Sequence, residues 1–324
     1  MKKVGIVITL SISALCCIVF FFYHSVSLVN PTKRESIADH IISIPKELVL
    51  DIPPIKPWCD ELVGLKKGFA NIEGGKLYYE QEGNGIPLVL ISGGPGQPHD
   101  GFHPYFSQLN NVARIIYYDQ RGTGKSTKDS TGRYYTIQCA VQDLEQLRLA
   151  LKIDRWAVLG WSYGGLLAQC YALQYPEHCA GLVLVATQSG LFETMAKLNY
   201  KEYLIQKPIT PEKLTTKPVF NQGIVGNWKH EGYHTQFESL MRDQAIKINL
   251  RGMFDNCKIP TLITESKRES LWRDNSNRIK CLRKNHPHAH VEVFKNADHK
   301  IFIDEPKKFF ALLRDFLEKS NRTQ

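Results

Sequence analysis

The fold is decided by the stretch WAVLGWSYGGLLAQCYALQY, residues 156–175. A short apolar run, of the kind found in buried strands, is followed by three glycines and a serine within six residues, and then by an apolar segment at helical spacing. The stretch therefore predicts a strand, a sharp turn and a helix. Glycines two positions before and after Ser162 give the pattern G-x-S-x-G, which lets the backbone turn so tightly that the serine hydroxyl is exposed above a sheet.

Two interpretations of this turn are open from these five residues. Ser162 is a candidate nucleophile, and the backbone N–H of Tyr163, at the start of the helix, would face negative charge developing beside the hydroxyl. A glycine-rich turn with a serine at the helix N-terminus would give the same pattern. The rest of the chain has to decide between them.

Length and composition allow a large globular domain. The 324 residues are 43% hydrophobic and 10% aromatic, which is enough apolar surface for a sizeable core in one large α/β domain or two smaller ones. The formal net charge is +9, but the lysines and arginines are scattered, and no zinc-finger spacing, basic helix or RNA-binding signature is present. We therefore expect no nucleic-acid partner, and attraction to an acidic membrane surface is the better use of this charge.

The first thirty residues predict a membrane segment. After Lys2 and Lys3, residues 4–23 contain three polar side chains, all hydroxyls, and twenty helical residues suffice to cross a bilayer. We expect residues 1–30 to form an uncleaved single-pass anchor, with the catalytic domain on the non-cytoplasmic side. Cleavage near Ser27, which would release a secreted or periplasmic protein, is the alternative. Six of the eight cysteines lie outside this segment, an even number compatible with disulfides in an oxidising compartment.

Beyond a proline-containing linker at residues 31–65, strands and helices alternate. Such alternation predicts a mostly parallel sheet covered on both faces. Predicted strands occupy 69–72, 76–82, 88–91, 113–118, 157–159, 181–186, 260–264 and 291–294. Predicted helices follow the sharp turn at residues 160–164, called the elbow below, and begin near residues 136, 276 and 306. Residues 187–254 lack a predicted strand and are expected to form a helical cap inserted between core segments 66–186 and 255–324.

Two glycine-containing loops follow predicted strands. In SGGPG, Ser92 to Gly96, consecutive glycines let backbone N–H groups approach a ligand closely. The sequence Gly124-Lys125-Ser126 imitates the end of a phosphate-binding loop, but that loop needs a glycine five residues before Gly124, where Asp119 stands. A structural loop is therefore the better interpretation of residues 119–126.

A serine nucleophile needs a base and an orienting acid, and the chain order Ser, acid, His indicates an α/β-hydrolase. His299 lies between the last predicted strand and the last helix, where this order requires the base. Glu265 follows a late strand directly and Glu269 lies four residues further along. We prefer Glu269, because its side chain could swing over the sheet edge toward His299. The alternating His286, His288 and His290 lie at a helix-to-strand junction, and we expect no metal site there.

Four motifs together carry a family resemblance: SGGPG at 92–96, DQRGTGKS at 119–126, GWSYGG at 160–165 and IPTLIT at 259–264. In their order and spacing, over residues 68–319, the chain resembles the proline iminopeptidase and tricorn-interacting-factor group of α/β-hydrolases. The resemblance implies that Ser162 is the nucleophile, that His299 is the base, and that the N–H groups of Gly94 and Tyr163 form the oxyanion hole. It implies no metal or organic cofactor.

The chain departs from this family at three places. Ser92 stands where the family has histidine, Glu269 stands in place of an aspartate in a G-x-x-D context, and the cap is short. The family's cap supplies acidic residues that hold a substrate's amino group, and these are not matched to positions here. Despite these departures, the resemblance implies an aminopeptidase or iminopeptidase acting on small peptides or amino-acid amides. A general carboxylesterase acting on an ester, and a non-catalytic membrane-tethered binding module, are the alternatives.

Overall fold

The computed structural model of the protein describes residues 49–50, 64–188, 220–221, 235–245, 247–268 and 275–322. The strands are β1 (Val49–Leu50), β2 (Lys66–Ile72), β3 (Gly75–Glu82), β4 (Ile86–Ile91), β5 (Ala113–Tyr118), β6 (Trp156–Trp161), β7 (Cys179–Val185), β8 (Phe220–Asn221), β9 (Thr261–Ser266) and β10 (His290–Phe294). The helices are α1 (Ile137–Ala150), α2 (Tyr163–Gln174), α3 (Thr235–Ala245), α4 (Asn275–Asn285), α5 (Ile301–Asp304) and α6 (Pro306–Arg322).

The predicted anchor, residues 1–30, and most of the predicted linker and cap lie outside the described residues. Within the described ranges, no helix combines the length and the apolar character that a bilayer crossing requires.

Eight strands form one sheet in the order β10-β9-β7-β6-β4-β5-β3-β2. All neighbouring pairs are parallel except those of β3, which runs antiparallel to both β2 and β5. The predicted, mostly parallel sheet is therefore confirmed. Strand β6 lies between β4 and β7, and each of these central strands is a continuous apolar run because both of its faces are covered. The predicted elbow thus ends a strand in the middle of the sheet.

Successive residues of the central strands enter two separate cores, as side-chain alternation requires. Val89 and Val158 pack on one face, and Leu90 and Leu159 on the other. Helices α1 and α2 cover the first face, and α6 covers the second together with an aromatic cluster that includes Phe102. The sheet is thus covered on both sides, as the alternation of elements predicted.

Two short strands differ from the prediction. Strand β1 lies in the predicted linker and pairs in parallel with β8, which lies in the predicted cap, through Val49 with Phe220 and Leu50 with Asn221. A pattern with period two cannot be recognised in a strand of two residues, so neither was predicted. Thr136 is the N-cap of helix α1, as predicted, and its hydroxyl accepts a hydrogen bond of 3.0 Å from the N–H of Cys139.

The described cysteines are free thiols: Cys139, Cys170, Cys179, Cys257 and Cys281. Burial raises the pKa of Cys170 to about 11 and that of Cys179 to about 12. Both side chains therefore stay protonated at neutral pH and act as small apolar groups in the core.

Candidate active site

Ser162 occupies a strained turn between β6 and α2. Its backbone angles are φ 56° and ψ −122°, which a residue with a side chain rarely adopts. The surrounding chain holds this conformation. The N–H of Ser162 donates to Val185 O at 2.9 Å, and its carbonyl accepts from the N–H of Gly165 at 3.0 Å and from the hydroxyl of Thr187 at 2.6 Å.

The two glycines of the G-x-S-x-G pattern are required by close backbone contacts. A Cβ atom on Gly160 would lie 2.2 Å from the carbonyl oxygen of Gly164, and one on Gly164 would lie 2.2 Å from that of Ile91. Strand β6, helix α2 and strand β4 can therefore meet at Ser162 only because these side chains are missing. The predicted strand, turn and helix are confirmed.

The two predicted oxyanion donors come from the loop after β4, which contains Gly94, and from the start of α2 at Tyr163. Gly94 has φ +112°, where a side chain would be strained, and a Cβ atom on Gly93 would lie 3.1 Å from that of Ser162. Tyr163 is the first residue of α2, so its N–H belongs to the helical turn whose donors have no acceptor within the helix. The structure thus places Tyr163 and the loop of Gly94 beside Ser162.

His299 lies in the loop between β10 and α5, and Trp161 ties this loop to the elbow. The indole Nε1 of Trp161 donates a hydrogen bond of 3.0 Å to the carbonyl oxygen of His299, and the two ring centroids are 5.4 Å apart. The N–H of His299 donates to Asp298 Oδ1 at 2.8 Å, which gives the loop a second constraint. The candidate base therefore sits next to the residue that precedes the candidate nucleophile.

Of the two candidate acids, the structure describes Glu265 but not Glu269. Glu265, at the end region of β9, is fully buried, forms an ion pair with Arg278 and accepts a hydrogen bond of 3.1 Å from the N–H of Thr187. Because the hydroxyl of Thr187 donates a hydrogen bond to the carbonyl of Ser162, the Glu265 carboxylate stabilises the elbow through Thr187.

The loop from Asp119 to Ser126 has the internal bonds of a structural loop. Asp119 Oδ2 accepts from the N–H of Lys125 at 2.8 Å, and the hydroxyl of Ser126 donates to Asp119 O at 2.6 Å. A Cβ atom on Gly124 would lie 2.1 Å from Asp119 Oδ2. The aspartate therefore fills the space that a phosphate group would need.

Ser92, which stands where the family has histidine, has a structural role. The hydroxyl of Ser92 donates to Pro98 O at 3.0 Å, and the side-chain amide of Gln120 donates to Ser92 O at 3.0 Å. Both side chains are buried. Ser92 therefore closes the glycine loop on itself, and Gln120 anchors that loop to the segment after β5.

The three histidines near residue 288 do not converge. His286 is buried and packs against Phe254 with ring centroids 4.1 Å apart, and its Nε2 lies 3.0 Å from Gln169 Oε1. His288 is exposed and contacts the carbonyl of Asp255 instead. Burial lowers the pKa of His286 to about 4, so this imidazole is neutral in the core.

A different group of titratable residues is brought together, which the motifs of the chain did not indicate. Glu80, His99 and His103 are all buried, and one ligand-type atom from each lies within 4.8 Å of the others. The sequence held one signal for it, the spacing His-x-x-x-His directly after the glycine loop. Glu80 comes from a separate strand and has no local signal of its own.

Comparison with known proteins agrees with the fold. Residues 86–207 match the family described as the alpha/beta hydrolase fold. The proline iminopeptidase of Lactobacillus delbrueckii subsp. bulgaricus is 30% identical over 278 residues, which cover 71% of this chain and 89% of that protein. A probable proline iminopeptidase of Leptolyngbya boryana is 45% identical over 112 residues, which cover 33% of this chain and 34% of that protein.

Among solved structures, an esterase from Exiguobacterium antarcticum is similar to this chain with a TM-score of 0.61 at 21% identity, and the match covers 78% of this chain and 100% of that one. At this identity the likeness shows the fold alone. The Lactobacillus relative, by contrast, aligns over most of both chains. The chain therefore belongs to the proline iminopeptidase group of α/β-hydrolases.

Proposed function

We propose that the protein is a serine hydrolase that works through an acyl-enzyme on Ser162. The observation that carries this proposal is the strained backbone of Ser162, with φ 56° at the junction of a central strand and a helix. Such strain persists where the surrounding structure enforces it, and it clusters at reactive positions. The hydrogen bond from Trp161 to the His299 loop adds a base of the right type beside it.

In this mechanism the Ser162 hydroxyl attacks the substrate carbonyl carbon while its proton passes to the imidazole of His299. The negative charge on the former carbonyl oxygen is stabilised by the N–H groups of Gly94 and Tyr163. As the tetrahedral intermediate collapses, His299 gives the proton to the leaving group. Water then attacks the acyl-enzyme by the same route, which releases the acid and restores the serine.

Glu269 is the proposed acid that orients His299 and stabilises its charged form. The contacts of Glu265 support this choice, because its carboxylate already serves Arg278 and the N–H of Thr187. A carboxylate held by a buried guanidinium stabilises an imidazolium less than an unpaired one would. We therefore assign the role of orienting His299 to Glu269, which follows β9.

For the substrate we propose a small peptide or amino-acid amide with a free amino terminus, cleaved after its first residue. Relatives named proline iminopeptidase support this class. A carboxylesterase is the second candidate, because residues 187–254, the proposed cap, contain six carboxylates against nine lysines and arginines. An uncharged ester needs no carboxylate partner.

One preparation tested on three substrate sets separates these candidates. Proline and other amino-acid naphthylamides are compared with their N-acetylated forms and with short-chain nitrophenyl esters, and Ser162→Ala serves as the blank. Acetylation removes the ammonium charge and leaves a buried carboxylate unpaired, so we expect kcat/KM to fall about 100-fold or more. Equal cleavage of free and acetylated amides, or turnover of the esters alone, would replace the aminopeptidase by an esterase.

We also propose that residues 1–30 anchor the protein in a membrane, with the hydrolase domain on the non-cytoplasmic side. The support is the apolar run at residues 4–23. A full-length species that stays with membranes after a carbonate wash is expected. A soluble species that begins near Leu28 would show a cleaved signal peptide instead.

A further inference from the structure

Three buried titratable side chains, Glu80, His99 and His103, converge at a place that the acyl-transfer reaction does not use. Glu80 lies on β3, and both histidines lie in or next to the 3-10 turn His99–Phe102, which follows the glycine loop. Their exposed fractions are 0%, 5% and 3%. Charged groups are buried this deeply only when something neutralises them.

The distances from the Glu80 carboxylate to the two histidines match those between neighbouring ligands of a metal ion. Glu80 Oε2 lies 3.4 Å from His99 Nε2 and 3.2 Å from His103 Nε2. A tetrahedral zinc ion with bonds of about 2.0–2.1 Å places neighbouring ligand atoms about 3.3 Å apart. In the part of the chain that the structure describes, these three atoms form no hydrogen bond of acceptable geometry.

The remaining polar atoms of Glu80 and His99 are held by partners that leave the three central atoms pointing inward. The Tyr78 hydroxyl donates to Glu80 Oε1 at 2.6 Å, so Oε2 faces the histidines. His99 Nδ1 lies 2.7 Å from Asp119 Oδ1, which also accepts the backbone N–H of His99 at 3.0 Å. An Nδ1–H donated to a carboxylate leaves the lone pair on Nε2, which is the tautomer that a metal ion requires.

The charge balance of the cluster also favours a cation. Glu80 and Asp119 bring two carboxylates, and the exposed Lys67, whose Nζ lies 3.6 Å from Glu80 Oε1, offsets one of these charges. A divalent ion between the three side chains would supply the remaining positive charge.

We propose that Glu80, His99 and His103 bind one divalent transition-metal ion, and that this ion fixes the glycine loop of the active site to strand β3. Two imidazoles and a carboxylate suit zinc best, and cobalt takes the same ligands and geometry. The ion would act on structure: His99 and His103 flank Phe102, whose ring lies 6.2 Å from that of Trp161. No step of the acyl transfer passes through it.

The test measures metal content in the full-length chain made without a histidine tag, in minimal medium supplemented with ZnCl₂ so that the metal is present during folding. Elemental analysis should find about one zinc per chain in the wild type and less than about one tenth of that in Glu80→Gln and His103→Gln. His286→Gln is the matched control, because it removes a buried histidine outside the cluster and should keep the zinc.

The same proteins made with CoCl₂ give a spectroscopic readout. Wild type should show the visible absorption of tetrahedral cobalt, and EDTA should lower its melting temperature but not that of His103→Gln. A folded wild type, judged by circular dichroism and cooperative unfolding, that contains less than about one tenth equivalent of either metal overturns the proposal. So does an equal metal content in wild type and His103→Gln. The wild-type measurement decides the matter even where the variants fail to fold.

Discussion

The indole Nε1 of Trp161 donates a hydrogen bond of 3.0 Å to the carbonyl oxygen of His299, which joins the residue before the proposed nucleophile to the proposed base. Trp161→Phe keeps an aromatic ring against Phe102 and Phe302 but removes this donor. A hydrogen bond of this kind is worth about 0.5–1.5 kcal/mol. We therefore expect kcat to fall about 3- to 10-fold with little change in KM, measured by steady-state kinetics on the best substrate.

Trp156→Phe is the control for this change. It also removes an indole donor, which bonds the hydroxyl of Tyr171 at 3.1 Å, but at the opposite end of β6. The melting temperature should fall while kcat stays constant. If both variants lose the same fraction of kcat, the Trp161 bond does not position His299.

The two glutamates should separate into different kinds of loss. Glu269→Gln should lower kcat by about 10³–10⁴, because an amide favours the wrong tautomer of the histidine. Glu265→Gln should act on stability instead, because it leaves the buried Arg278 without its charge partner, at a cost of about 3–5 kcal/mol. Kinetics and chemical unfolding of each variant measure the two effects. A folded Glu265→Gln with the larger kcat loss would move the orienting role to Glu265.

Acid should destabilise the protein through His286. Burial lowers the pKa of His286 to about 4, while the unfolded chain binds the proton near the ordinary value of about 6.5. The contribution of neutral His286 to the free energy of unfolding is fully present above about pH 6.5. It is lost progressively as the pH falls to about 4, by about 3 kcal/mol in total. Denaturant unfolding of wild type and His286→Gln across this range measures it. If the free energies of unfolding of the two proteins change with pH in the same way, His286 is not the group that makes the protein sensitive to acid.

Two glycines test the close packing at the elbow. Gly164→Ala places a Cβ atom 2.2 Å from the carbonyl oxygen of Ile91, so the backbone must move, and we expect a loss of about 3 kcal/mol or more. Gly101→Ala is the matched control, since a Cβ atom there meets nothing within 4 Å. Its effect should stay within about 0.5 kcal/mol. Unfolding in urea compares the two, and a similar small loss in both would show that the elbow tolerates a side chain.

The sequence predicts the elbow, the sheet and its two covered faces because each signal is local. Gly160 and Gly164 lie against each other within one five-residue pattern around Ser162, and the central strands are unbroken apolar runs. The strand ends are less well predicted, because pairing sets them. Strand β2 begins three residues before the predicted start, where Lys66 pairs with Gln81 in the hairpin.

The buried cluster could not be predicted in the same way. Glu80 and Tyr78 lie on the same inward face of β3, but in a strand pattern a polar residue at an inward position looks like an interruption. Only the tertiary structure brings Glu80 to His99 and His103. The pairing of β1 with β8 has the same cause, since two-residue strands show no period before they meet.

A fluorophosphonate probe tests whether Ser162 is an activated nucleophile. Intact-mass spectrometry of the labelled wild type should show one adduct per chain, mapped by peptide analysis to Ser162, with none in Ser162→Ala. Labelling should be much slower in His299→Gln, which cannot take the proton. A folded wild type that remains unlabelled, or a Ser162→Ala that is labelled equally well, would show that Ser162 is not an activated nucleophile and would leave a binding module without catalysis.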